Sequence, residues 1–270
     1  LLIFALARGN SPLNPEGWSS PEVIGCFAVA AAALIVFIVR ELRCENPLLN
    51  LKLLGERNFG VSMAVLAIFG IGMLGGTYLL PLYMQKGLGY TAIMAGSVFL
   101  PVGLIQGVLS TCSGFLTRYI KPLFIAVTGI LVMTLSFYFA SRFTLHTTHA
   151  QIMLVLYLRG FGMGLTFAPL NDFSLMNLSQ RDMASAAGIS NSIKQLSGSV
   201  SIALLTVILT GRTAFHSAQG GLSSAESYVA GISDDFLFVT FVSLASALPF
   251  LWLLRPRRKA ASFKSEGTGT

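Results

Sequence analysis

The strongest constraint in this sequence is a set of long apolar runs without a single charged side chain. Residues 23–39, 59–84, 92–117, 122–140 and 236–254 are such runs. Two more, 150–178 and 183–211, are interrupted only by Arg159, Asp172 and Lys194. A helix needs about 20 residues to cross roughly 30 Å of hydrocarbon, so seven full crossings fit. Backbone polar groups in lipid must be satisfied within the structure, which leaves helices or a closed barrel. The period-two alternation of barrel strands is absent. Composition points the same way: 54% of residues are hydrophobic and 11% charged, where a soluble domain carries about 25% charged residues. The expected class is an all-α, polytopic membrane protein, with the lipid bilayer as its first partner.

The three interruptions carry the functional information. An ionisable group is costly in hydrocarbon, so helices that keep one face a wet path or a compensating partner. At 1.5 Å per residue, Asp172 and Lys194 lie at similar depths in consecutive runs. They are expected to face each other, as a buried pair or as two walls of one cavity. A static polar lock between neighbouring helices accounts for them equally well. Arg159 lies nearer the opposite face, where it either snorkels to the interface or packs between helices. Asn171, Asn191, Gln195 and Gln106 extend the candidate lining. Gln106, Ser110 and Ser113 share one helical stripe, and Gly188, Asn191, Gln195 and Gly198 share another.

The distribution of polar side chains implies an internal order. After the first span and a charged linker, six spans follow, at about 59–85, 92–117, 121–141, 150–178, 183–211 and 235–254. The apolar runs of the third and sixth, 122–140 and 236–254, carry no charge and no amide, which suits the periphery; the second, fourth and fifth carry Gln106, then Arg159, Asn171 and Asp172, then Asn191, Lys194 and Gln195, which suits the interior. Two three-helix units result, the layout of inverted-repeat transporters with a route between the repeats. Gly72 and Gly76, Gly103 and Gly107, and Gly160 and Gly164 are pairs spaced by four that let helix backbones approach closely. Pro81, Pro101, Pro169 and Pro249 lie inside runs and permit bends. The Gly160-x-Gly162-x-Gly164 pattern is no nucleotide loop, since no strand precedes it.

Orientation follows from the basic residues. With the tail cytoplasmic, Arg40, Arg43, Lys52, Arg57, Arg118, Lys121, Arg181, Arg255, Arg257, Arg258, Lys259 and Lys264 lie inside, and only Arg8, Lys86, Arg142 and Arg212 outside. That asymmetry is the positive-inside pattern, and it accounts for the net charge of +7 without nucleic-acid binding. Cys26, Cys44 and Cys112 make no disulfide or metal framework, His146 and His149 lack the companions of a metal site, and no cofactor is implied. No nucleophile sits with a base at depth, as a hydrolase would need, and no filter loop marks a channel. Asp234-Asp235 reads as an external helix start. The chain opens on Leu-Leu-Ile-Phe-Ala-Leu-Ala, which reads as the end of a truncated span, so a C-terminal fragment of something longer is expected.

Several segments together resemble a known family. They are Tyr78-Leu-Leu-Pro81-Leu-Tyr-Met-Gln85, Leu88-Gly89-Tyr90, Ala95-Gly96 and Leu100-Pro101, with Gly17-Trp18 and Glu45-Asn-Pro47-Leu48 before them. Arg159-Gly160-x-Gly162-x-Gly164, Asn191 and Lys194-Gln195-Leu196-x-Gly198 complete the set, with Lys where Arg is expected. Gly114-Phe-Leu116-Thr-Arg118 resembles a degenerate cytoplasmic loop motif. The combination is similar to the major facilitator superfamily, in its fourteen-span drug:proton antiporter branch of the EmrB/QacA type.

That resemblance implies a division of the chain. Residues 1–58 would hold the end of a truncated span, an external loop, a linker helix at about 22–40 and a cytoplasmic linker. Residues 59–255 would be the C-terminal six-helix lobe and 256–270 a cytoplasmic tail. The partners implied are an N-terminal six-helix lobe, which in this family holds the coupling acids, a small-molecule substrate and protons. The function implied is multidrug efflux by alternating access in the bacterial cytoplasmic membrane. An exporter of another small metabolite, or a non-transporting membrane scaffold, is the alternative, since a fold does not dictate cargo.

Overall fold

The computed structural model describes residues 20–44, 49–218, 221 and 223–250, and all regular structure among them is helical. Helix α1 spans Pro21–Arg43 and leads through a short 3₁₀ turn, Leu51–Gly55, into α2 at Arg57–Leu82. The second span is broken into α3, Ala92–Ser97, and α4, Leu100–Leu116. Then come α5 at Pro122–Ala140, α6 at His149–Leu175, α7 at Met183–Ala218 and α8 at Ser224–Ala245. With α3 and α4 as one span, seven helical segments are long and apolar enough to cross a membrane.

Local chemistry sets the ends of these helices. Pro21 and Pro122 occupy first-turn positions, where a missing N–H costs nothing. Thr148 with Gln151, and Ser223 with Glu226, form reciprocal capping boxes that satisfy otherwise orphaned N–H groups. Pro81 lies inside α2, and the helix widens just beyond it into a π turn, Tyr83–Gly87. Gly89, at φ +71°, then reverses the chain in a conformation that other residues adopt only with strain.

Packing relates the two halves of the lobe. Helix α4 lies on α6 as α7 lies on α2, and α5 lies on α6 as α8 lies on α2. Helices α2 and α6 also touch each other, as do α5 and α8. This is the exchange pattern of two three-helix units. Its centre is α2, with Phe59, Phe69, Leu79 and Leu80 fully buried; Phe137 of α5 lies against Gly72 and Gly76 of α2 and stacks with Phe236 of α8 at 6.5 Å. The Tyr83 hydroxyl donates to the Thr144 carbonyl at 2.7 Å, and its ring stacks on Phe143 at 4.9 Å. That contact ties the π turn to the α5–α6 loop. At the other end, Asp182 accepts from Ser179 at 2.7 Å and from Asn50 at 3.1 Å. Those two bonds hold its carboxyl below the usual carboxylate range.

Two sequence expectations need correction. The sixth span begins at Ser224, not at 235, because the Ser223–Glu226 capping box starts the helix in a polar stretch. Asp234 and Asp235 therefore lie inside α8 and do not start it. Within this chain alone the third and sixth spans are about half buried, and the second and fifth are the least buried of the lobe. Apolar Ile93, Leu100, Leu104 and Val108 of the second span stand open. Finally, nothing among the described residues approaches Gly103 or Gly107, so that pair joins no helices among them. A glycine pair shows that a face is smooth, not what meets it.

Candidate functional site

The glycines of α6 bring three helices together, α4, α5 and α6 itself. A Cβ on Gly160 would lie 3.1 Å from Val102 of α4, and one on Gly164 2.7 Å from Leu109 of the same helix. Gly162 turns the other way, toward α5, where a Cβ would stand 2.8 Å from Met133 and 2.9 Å from the Gly129 carbonyl. Gly72 and Gly76 of α2 receive Ser243 and Phe137 in the same manner. Ser113 of α4 donates to the Gly164 carbonyl at 2.9 Å, which accounts for one polar stripe of the second span. Squeezed between α4 and α5, helix α6 presents Arg159 to α2.

Arg159 is 3% exposed. Its Nη2 donates to the Met73 carbonyl at 3.2 Å and to the Thr77 hydroxyl, and Thr77 itself donates to the same carbonyl at 2.9 Å. The Arg159 Nε has no hydrogen-bond partner. Snorkelling is thereby excluded: the guanidinium is an interhelical strut whose partners are a backbone dipole and a hydroxyl. Charge-assisted bonds of this kind are stronger than neutral ones.

Lys194 takes part in a different feature. A cavity of about 170 Å³ lies between α2, α6 and α7. Its polar lining is Asn171 and Ser174 of α6 with Ser190, Asn191 and Lys194 of α7, and its apolar wall includes Met63, Leu66, Phe167 and Leu170. The Lys194 ammonium sits 5.3 Å from the centre of the Phe167 ring, within cation–π range. Ser190 donates to the Ala186 carbonyl at 2.8 Å and approaches the Met63 sulfur at 3.4 Å. The site is one cation and two amides beside an apolar wall, chemistry that grips an amphipathic small molecule without demanding one geometry.

The expected facing of Asp172 and Lys194 is not found. Asp172 is exposed and does not line the cavity, and Asn171 stands there in its place. Consecutive helix positions point about 100° apart, which carries the carboxylate off the wall. Gln195 is exposed, and Gln106 is half-buried on α4; neither reaches the cavity. Sequence reasoning missed Phe167, Ser174 and Ser190 as lining, and the Met73 carbonyl as the partner of Arg159. A serine at i−4 from Lys194 was readable; a backbone carbonyl leaves no trace in a sequence.

The bundle is an all-helical membrane architecture with a polar-lined pocket between helices of both three-helix units. Residues 5–202 match the family model of the Major Facilitator Superfamily, and the chain belongs to that family. It is 32% identical over 215 residues to the uncharacterized MFS-type transporter YhcA of Bacillus subtilis, covering 80% of this chain and 40% of that protein. The lincomycin resistance protein LmrB of Listeria innocua is 26% identical over 92% of this chain and 53% of its own length. The multidrug export protein EmrB of Haemophilus influenzae is 31% identical over 76% of this chain and 40% of its own length. The chain thus spans about half the length of the relatives it matches.

Proposed function

We propose that this chain is the C-terminal half of a proton-coupled multidrug exporter of the bacterial cytoplasmic membrane, with its C-terminus inside. The observation that carries the reading is the Lys194 cavity, an apolar and amide-lined pocket with one cation, in a member of a transporter family. Relatives named for lincomycin resistance and multidrug export support the cargo class. The exposed apolar faces of the second and fifth spans are where a second six-helix lobe would pack. The two lobes would then rock about the pocket, opening it to each side in turn. In that scheme Lys194 and Asn191 hold cargo, Asn171 adds a second amide, and the Arg159 strut stabilises the packing of α2 on α6.

The test is drug-dependent proton flux in vesicles containing the full-length transporter. Lys194→Ala should lower it by about tenfold, equivalent to about 1.4 kcal/mol of lost interaction, with normal expression, and Lys194→Arg should restore part of it. Unchanged flux in the alanine variant would remove the cavity from the transport route.

A further inference from the structure

Asp235 is the one ionisable group in the described residues whose placement neither packing nor the proposed cargo pocket explains. It is 0% exposed, and neither carboxyl oxygen has a hydrogen-bond partner. It belongs to a stripe spaced by four on α8, Ser227, Gly231, Asp235, Val239 and Ser243, every member of which is buried. The stripe neighbours fix where it points. Gly231 lies against Thr213 and Leu209 of α7, while Val239 lies against Gly72 and Gly75 of α2. Asp235 is therefore held in the seam between α2, α7 and α8.

The surrounding charges are already engaged. Arg212 binds Asp234 at 2.7 Å and His216 binds the same carboxylate at 2.9 Å. Lys86, beyond the end of α2, lies over the Tyr228 ring at 5.7 Å. On α2, the Tyr83 hydroxyl is committed to the Thr144 carbonyl, and Tyr78 approaches Thr206 at 3.4 Å. Arg159 is bonded to α2 and makes no ion pair with Asp235. On α5, the Thr134 hydroxyl is committed to Ser243 of α8 at 3.1 Å, and Ser136 faces α6, donating to the Val155 carbonyl at 2.7 Å. On α8 itself, Asp234 and Tyr228 are the titratable neighbours, and Glu226 is exposed in the capping box. Burying a carboxylate without a hydrogen bond or counter-charge is strongly disfavoured, whereas the neutral acid is tolerated.

We propose that Asp235 is a proton-binding site of this lobe. The carboxyl holds its proton while the seam is closed, as it is here. It releases that proton when the seam parts toward the outer cavity lined by His216, Ser233 and Asp234, where water solvates the carboxylate. Because the site is sealed by this chain's own helices, no other segment needs to supply a counter-charge. The proposal concerns protonation itself and stands apart from the cargo reading.

Infrared spectroscopy of the full-length protein in lipid tests it. Wild type at pH 7 should show a protonated-carboxyl carbonyl band that Asp235→Asn removes while leaving the fold intact, because the amide copies the neutral acid. Asp235→Glu should shift the band without abolishing it, and serves if the asparagine variant does not accumulate. A wild-type spectrum at pH 7 with no band sensitive to either substitution would show Asp235 ionised and overturn the proposal.

Discussion

Gly162→Leu is expected to be the most damaging single substitution in the lobe. Its side chain would have to occupy space already taken by the backbone nitrogen of Met133, 2.8 Å away, and by the carbonyl of Gly129 at 2.9 Å. A flexible side chain can retreat from such a clash, whereas a helix backbone can only translate. Parting α5 from α6 breaks the most extensive helix seam among the described residues, including the 2.7 Å bond from Ser136 to the Val155 carbonyl. Overpacking a well-filled interior costs about 1–3 kcal/mol, and a clash against backbone belongs at the upper end or beyond. Detergent-solubilised protein should lose most of its folded fraction, with Gly162→Ala intermediate. Gly103→Ala, where nothing among the described residues lies within 4 Å, should melt like wild type. A leucine variant with an unchanged melting temperature would mean that α5 and α6 do not meet at Gly129 and Gly162.

Arg159→Ala should be the second large effect. The substitution deletes donors to the Met73 carbonyl and the Thr77 hydroxyl and leaves a hole in a site that is 3% exposed. Hydrogen bonds to charged groups contribute about 1.5–3 kcal/mol each, so a loss of about 3 kcal/mol is expected. Lysine keeps the charge but not the planar fork, and Arg159→Lys should recover only part of the loss. The readout is thermal unfolding of the full-length protein together with efflux. Because the guanidinium does not line the Lys194 cavity, efflux should fall only as far as the folded fraction falls. Melting of the alanine variant at the wild-type temperature would place Arg159 outside the bundle.

The class of fold was readable because hydrocarbon thickness sets a length that apolar runs either reach or do not. Where a span begins in polar sequence, that ruler fails: residues 224–235 contain Ser, Glu and Asp, so the hydropathy signal starts late. The capping box at Ser223 and Glu226 was the legible cue to the earlier start. Asp172 shows a second limit. Depth along a helix follows from counting, but rotation about its axis shifts by about 100° per residue, so a correct depth still placed the charge on the wrong face. Asn171, one position away, lines the cavity. Gly103 and Gly160 show a third limit, because both belong to pairs spaced by four, and among the described residues only the Gly160 pair has a neighbour. Asp235 was passed over because an acid near a presumed helix start needs no explanation, whereas an acid inside a packed helix does.

The exporter reading rests on a wet, cargo-accessible pocket around Lys194, and thiol accessibility measures that directly. In the full-length transporter with Cys26, Cys44 and Cys112 replaced by serine, Asn191→Cys and Lys194→Cys are each exposed to a charged, membrane-impermeant thiol reagent. Both positions should react in inside-out membranes, and transported drug should slow the reaction at each. Failure of both cysteines to react in folded protein, or reaction at a rate that drug leaves unchanged, would contradict a cargo route lined by Asn191 and Lys194.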